Sequence, residues 1–205
     1  MTATPTSPAS PAGPATTESV VLLDEAGRAV GTQDKASVHH ADTPLHLAFS
    51  CYLFDDAGRV LVTRRALHKR TFAGVWTNAC CGHPGPGEGL ADAVRRRVRQ
   101  ELGTDVEDLR LVLPAFRYRA EQDGVVENEM CPVFVARAPD AEALRPDPDE
   151  VADAVWETWT SFRDGVLGGS REVSHWCREQ VLQLPEDPAH APAASDADLP
   201  PAARS

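Results

Sequence analysis

Residues 80–103, CCGHPGPGEGLADAVRRRVRQELG, decide how the rest of the chain is organised. In the second half of this stretch Leu90, Val94, Val98 and Leu102 recur at every fourth position, which lays one apolar stripe along a helix. Gly103 stands where a helix stop belongs. The first half, Cys81–Gly89, is a Gly/Pro-rich loop, and Gly74–Asn78 ahead of it reads as a short strand. The unit is strand, loop, helix.

Hairpin signals flank this unit. Val20–Leu23 runs into a Glu25-Ala26-Gly27 turn and returns through Ala29-Val30, while Leu45–Phe54 turns at Asp55–Gly58 and returns as Arg59–Thr63. Leu109–Arg119 and Val125–Ala138 are extended runs around Asp123-Gly124, the strongest hairpin signal in the chain. Val155–Trp159 alternates like a strand, and Val173–Leu184, with Trp176, Val181 and Leu184, reads as a closing helix. Hairpins with two or three helices on a mixed sheet define an α+β fold.

The 205 residues suffice for one domain with a core. Residues 1–18 and 185–205 are rich in Pro and Ala, with almost nothing to bury, and both are expected to be disordered. The folded domain is therefore expected over residues 19–184. A net charge of −11 gives the whole chain no attraction for nucleic acid or an anionic membrane, so an anionic ligand needs a local basic patch. No apolar run approaches the roughly 20 residues of a membrane span. The N-terminus lacks the basic and apolar regions of a secretory signal. Five cysteines at irregular spacing read as free thiols, and the expected compartment is the cytoplasm.

Four groups of residues carry candidate chemistry. His39, His46, His83, Glu127 and Glu129 suit a divalent cation such as Mn²⁺, Mg²⁺ or Zn²⁺, and Glu127 and Glu129 leave one strand face together. The alternative is scattered surface histidines beside a solvated acidic edge. In Cys80-Cys81-Gly82-His83-Pro84, Cys81 and His83 share a face while Cys80 points away. Cys81 beside a cation would make a usable base, but buried filler or a structural zinc site would use the same residues. Thr63–Arg70 holds four fixed positive charges in an acidic chain. Arg65 and Lys69 suit phosphate oxygens, with Lys35 as a further arm, unless the stretch is a solubilising turn. On the helix, Arg97 and Glu101 lie four apart, which an ordinary helical ion pair also explains. Tyr118 and Trp176 sit in apolar contexts, where core packing is the plain reading.

Gly82-x5-Glu88-x7-Arg96-Arg97-Val98-Arg99-Gln100-Glu101-Leu102-Gly103 resembles the Nudix box, a loop–helix that binds a diphosphate-bound metal. Arg97 and Gln100 stand where Nudix hydrolases carry glutamates, which implies that diphosphate binding is kept and hydrolysis disfavoured. Over about residues 20–180 the chain resembles more specifically the type I isopentenyl-diphosphate Δ-isomerases. The matching strings are Ala41-Asp42-Thr43 leading to Leu45–Ser50, Leu61–Leu67, Gly74–Asn78, Cys81–Pro84, Phe116–Ala120 and Glu127–Glu129.

That resemblance implies a Nudix-like mixed β-sheet sandwiched between helices. It also implies a cytoplasmic isomerase of isoprenoid biosynthesis that acts on a prenyl diphosphate as a monomer or weak dimer. The implied roles are residue by residue. His39, His46, His83, Glu127 and Glu129 would hold Mn²⁺ or Zn²⁺, and Mg²⁺ would bridge Glu101, the Cys81 carbonyl and the diphosphate. Cys81 and Glu129 would be the acid–base pair, and Tyr118 would assist proton delivery beside Glu129. Trp176 would face the hydrocarbon. Lys35, Arg65, Lys69 and Arg97 would surround the phosphates. A Nudix diphosphohydrolase and a non-catalytic diphosphate-binding module are the competing functions.

Overall fold

The computed structural model describes residues 18–204. The first apolar run and its return form β1 (Ser19–Leu23) and β2 (Ala29–Asp34), paired antiparallel. The Asp34 carboxylate then accepts from the Ala36 backbone N–H and caps the one-turn helix α1 (Lys35–Val38). The run that reads as one strand from Leu45 is two: β3 (His46–Leu47) and β4 (Phe49–Phe54). β5 (Arg59–Arg65), β6 (Trp76–Thr77) and β7 (Cys80–Gly82) precede α2 (Leu90–Leu102). β8 (Glu107–Leu113) and β9 (Arg117–Gln122) follow, then β10 (Val125–Met130) and β11 (Val133–Arg137). The chain continues as β12 (Val151–Thr158), α3 (Trp159–Gly168) and α4 (His175–Gln183).

Two sheets result, in the orders β2-β1-β3-β10-β9 and β12-β5-β4-β11-β8, with β6 on β5 and β7 on β4. β3 and β10 pair parallel in the first sheet, and their continuations β4 and β11 pair parallel in the second. The crossing stays hydrogen-bonded, because the Ala48 N–H donates to the Met130 carbonyl and the Ser50 N–H to the Pro132 carbonyl. Pro132 has no N–H of its own, so the two long extended runs divide at this point.

β4 is buried on both faces, as a central strand with a continuous apolar sequence should be. Phe49, Cys51 and Leu53 face Leu90, Val94, Val98 and Leu102 of α2. Tyr52 and Phe54 face Trp159, Phe162 and Val166 of α3 and Trp176 and Val181 of α4. Period-two alternation thus feeds two cores, one on each side of a sheet flanked by helices. Each fully buried large apolar side chain contributes about 1.5–3 kcal/mol to that arrangement.

Three expectations need correction. Cys81 and Gly82, expected to open the loop, belong with Cys80 to a strand, because Cys80–Gly82 pairs with Phe49–Cys51 of β4. Trp159 begins α3 instead of ending a strand. Trp159, Phe162 and Val166 have the helical spacing, but Gly165, Gly168 and Gly169 obscure it. The segment after Pro185 is not loose: three 3-10 turns at Pro188–His190, Asp196–Asp198 and Pro201–Ala203 lay it on the body. Leu199 buries beside β1, the Ala202 N–H donates to the Gly27 carbonyl, and Arg110 donates to the Ala189 and Ala191 carbonyls. Composition predicts little burial there, and a few well-placed contacts with backbone partners suffice. The reading of residues 1–17 falls outside the described residues. Among the described residues no helix is long and apolar enough to cross a membrane. All five cysteines are free.

Candidate active site

One cavity of about 490 Å³ gathers residues from β2 to α4. The β7–α2 unit forms its floor. Gly82 keeps the packing close there: a Cβ would come within 3.0 Å of both the Arg97 and Phe49 side chains, which would have to give way. Beyond it the loop is braced from α2, where Arg96 grips both oxygens of Glu88 at 2.7 and 2.8 Å and also donates to the His83 carbonyl at 3.2 Å. The Glu88 and Arg96 that match the box therefore hold each other and the loop that carries His83.

The sheet crossing places the carboxylates. Glu129 pairs in register with His46 across β10 and β3, and Glu127 lies two positions back on the same face. Around Glu129 Oε1 stand His83 Nε2 at 3.0 Å, His46 Nε2 at 3.3 Å and His39 Nε2 at 3.9 Å. One donor atom from each of these four residues lies within 4.8 Å of the others. The Tyr118 hydroxyl, on β9, lies 2.8 Å from both Glu127 Oε2 and Glu129 Oε2. Glu127 thus joins the cluster through Tyr118 rather than through the imidazoles.

Burial acts on each of these groups, and the charges around them decide the outcome. Burial opposes the charge on Glu129, but the three imidazoles gathered around it outweigh burial and hold the carboxyl well below the ordinary range. Glu127 goes up, through burial first and then the charge of Glu129. Burial drives His83 down to about 4. For His46 the same burial is outweighed by Glu129, and its value rises.

These residues suit a divalent cation. His39 Nε2 and His83 Nδ1 are buried without a hydrogen-bond partner among the described residues. Such orphaned nitrogens beside a carboxylate carry a cost of about 1–3 kcal/mol each. Of the two, His39 Nε2 faces Glu129, and an ion held by the His and Glu ligands would remove its penalty.

Cys81 lines the same cavity and is partly exposed, while Cys80 is buried and packs into the core under α2. Burial pushes the Cys81 thiol up to about 12, with Ser50 and Arg65 pulling the other way. Trp176 closes one end, with Phe72 and Tyr118 at ring-centroid distances of 5.1 and 5.5 Å and the Arg65 guanidinium 6.0 Å from its ring.

At the mouth Lys35, Arg65, Lys69 and Arg97 line the same cavity. All but Arg65 are paired with carboxylates: Lys35 with Glu18 at 2.6 Å, Lys69 with Glu150, and Arg97 with Glu101 at 2.5 Å and Glu150 at 3.3 Å. Arg65 donates to the Thr71 carbonyl. Burial raises Glu101, against the pull of Arg97. Every predicted site residue lines this cavity except His46, which is buried behind it against His83 and Glu129. Sequence reasoning missed Glu18, Glu150 and Asn78, for a lone acid or amide far along the chain gives no spacing signal.

Fold and site together are those of a NUDIX domain, whose family model matches residues 44–177. The chain belongs to the isopentenyl-diphosphate Delta-isomerase family within it. It is 65% identical over 170 residues to the isopentenyl-diphosphate Delta-isomerase of Mycolicibacterium vanbaalenii, covering 82% of this chain and 92% of that one. To the protein of that name from Saccharopolyspora erythraea it is 56% identical over 190 residues, covering 91% and 97%. Solved structures share the fold at low identity. A Deinococcus radiodurans protein superposes with TM-score 0.62 at 19% identity, over 81% of this chain and 98% of that one. A MutT NUDIX hydrolase from Burkholderia pseudomallei gives 0.52 at 22%, over 69% and 98%.

Proposed function

We propose that this chain interconverts isopentenyl diphosphate and dimethylallyl diphosphate, with Cys81 and Glu129 as the proton-transfer groups. The observation that carries the reading is that both open onto one cavity, with an aromatic end wall at Trp176 and cationic groups at the mouth. Its family relationship supplies the substrate class.

The reaction moves a double bond. A proton added to C4 leaves a tertiary cation at C3, and removal of a C2 proton on the other face yields the isomer. Such chemistry needs one acid, one base and a cavity that keeps water from the cation. Cys81 and Glu129 share one proton and one negative charge between them. Because the reaction is reversible, each donates in one direction and accepts in the other. Tyr118, bonded to Glu127 and Glu129 at once, offers a path by which a proton reaches Glu129. Trp176, which lines the cavity, would face the cation, a contribution of about 2 kcal/mol or more when desolvated.

Lys35, Arg65, Lys69 and Arg97 hold the diphosphate, which positions an otherwise featureless five-carbon tail. Their partners Glu18 and Glu150 exchange for phosphate oxygens when substrate arrives. His39, His46, His83, Glu127 and Glu129 would hold Mn²⁺ or Zn²⁺, and Glu101 with the Cys81 carbonyl would hold Mg²⁺ at the diphosphate. Bound there, the cations supply fixed positive charge that offsets the buried carboxylates and the phosphates. The enzyme works as a monomer or weak dimer in the cytoplasm.

The test is incubation with isopentenyl diphosphate, with and without a chelator. The reading expects dimethylallyl diphosphate that chelation abolishes. Release of inorganic phosphate instead of isomer would identify a hydrolase.

A further inference from the structure

Around Cys81 lies a buried set of hydrogen bonds that the reaction as described does not use. Cys81 pairs in register with Ser50 across β7 and β4, and Ser50 Oγ lies 3.3 Å from Cys81 Sγ. Ser50 Oγ also accepts from Gln180 Nε2 of α4 at 2.9 Å. Gln180 Oε1 accepts from the Tyr52 hydroxyl at 3.0 Å. On the other flank Asn78 donates both its amide hydrogens to backbone carbonyls, those of Cys51 and Cys80, each at 3.0 Å. Ser50, Asn78 and Gln180 are fully buried.

A count of donors narrows the directions of the bonds around the sulfur. Asn78 has no hydrogen left, so its Oδ1, 3.3 Å from Cys81 Sγ, can only accept, and it accepts from the thiol. Ser50 Oγ receives the Gln180 amide, so its single hydrogen is free to point at a sulfur. Cys81 at 3.3 Å and Cys131 at 3.4 Å are the two within reach. The Cys81 sulfur thus has an acceptor on one flank and a hydroxyl able to donate on the other. Ser50 and Gln180 do not line the cavity, so neither is placed to touch substrate, and polar groups this deeply buried are held by the partners they keep.

We infer that Ser50, oriented by Gln180, is a positioning residue that aims the Cys81 sulfur into the cavity, with Asn78 as the opposing stop. The inference rests on the reading of Cys81 as a proton-transfer group. It also gives α4 a double task. Trp176 lines the cavity and Gln180, one turn later on the same helix face, holds the hydroxyl behind the sulfur. The docking of one helix therefore sets the spacing between the aromatic wall and the reacting thiol. Misplacement by about 1 Å is enough to lower turnover by about 10²-fold.

Ser50→Ala removes one oxygen, and Gln180→Met keeps the volume without the amide. Turnover of isopentenyl diphosphate, thermal unfolding and the rate of Cys81 alkylation by iodoacetamide, followed by peptide mass spectrometry, are measured for the full-length protein. Each variant is expected to lose about tenfold or more in kcat with KM within about twofold, and the double variant to lose no more than the worse single one. Cys81 alkylation should slow in Ser50→Ala, because the donor behind the sulfur is gone. A purely structural role would lower the unfolding temperature and leave kcat and alkylation within about twofold of native, and that result overturns the inference. Multiplying losses in the double variant would overturn it too, since Gln180 would then not act through Ser50. Should Gln180→Met fail to fold, Ser50→Ala alone decides by the same two readouts. Absence of isomer from the native protein would refute the isomerase reading itself, and the alkylation rates would still report on the cradle.

Discussion

His46 and Glu129 are paired in register across the parallel β3–β10 ladder, and their side chains meet with Nε2 3.3 Å from Oε1. The relationship is set by backbone register, so a one-residue slip of β10 would turn Glu129 to the opposite face. His83 joins from β7's far end, and α2 fixes that loop through Glu88 and Arg96. Three separate segments thus converge on one carboxylate because two strands cross between sheets at Ala48 and Pro132.

The two adjacent thiols give a sharp contrast. Cys81→Ala is expected to lower isomerisation by about 10²–10⁴-fold, the usual contribution of a positioned acid or base. Cys80→Ala leaves turnover nearly unchanged. Its effect should appear in thermal unfolding, because the Cys80 side chain packs in the core under α2. Comparable loss of turnover in both variants would mean that the wrong sulfur has been chosen.

Trp176→Phe keeps an aromatic face but a weaker one for a cation. It should lower kcat by about tenfold while KM moves by less than about threefold. Steady-state kinetics decides, and an effect confined to KM would assign Trp176 to binding alone.

Stability should depend on pH through the Glu88 clasp. The Arg96 hydrogen bonds come first in holding Glu88 below its ordinary value of 4.5, with the Gly85 N–H assisting and burial opposing. A carboxyl lowered in the folded state adds stability that is fully present above the unfolded value and is lost as pH falls through the folded one. The difference in unfolding temperature between native protein and Glu88→Gln should therefore be greatest near neutral pH, where it corresponds to about 1 kcal/mol. It should begin to narrow as pH falls below about 4.5 and close fully only below the lowered folded value. A difference that persists unchanged at low pH would show that the charge is not involved.

Truncation after Leu184 tests the C-terminal segment. The loss of buried Leu199 alone removes about 1.5–3 kcal/mol, and Arg110 loses two carbonyl partners. The unfolding temperature should fall by about 4–10 °C with kcat unchanged. An unaltered unfolding curve would mean that the segment adds nothing to the fold.

Much of this was legible in the sequence where the signal is local. The stripe from Leu90 to Leu102 with its stop at Gly103 appears as α2, with Gly103 in the left-handed conformation at φ 66°. Asp123 and Gly124 both take positive φ, as a tight hairpin between right-twisted strands demands. Cys80 and Cys81 divide between core and cavity as strand alternation requires. Weaker local signals misled: glycines hid α3, and Pro/Ala-rich composition hid the C-terminal contacts. Ser50, Asn78, Gln180 and Glu150 carry no spacing at all, since a Ser in an apolar strand or a Gln in a helix looks ordinary until register and docking place it. The metal-suited cluster was visible as residue types, and only the sheet crossing at Ala48 and Pro132 brings them together.

The most direct measurement is nuclear magnetic resonance of isopentenyl diphosphate turned over in deuterated water by the native protein, Cys81→Ala and Glu129→Gln. The account predicts dimethylallyl diphosphate carrying deuterium at the newly formed methyl group with the native enzyme, and none with either variant whose metal content matches native. Deuterated isomer at a near-native rate from either variant would contradict it.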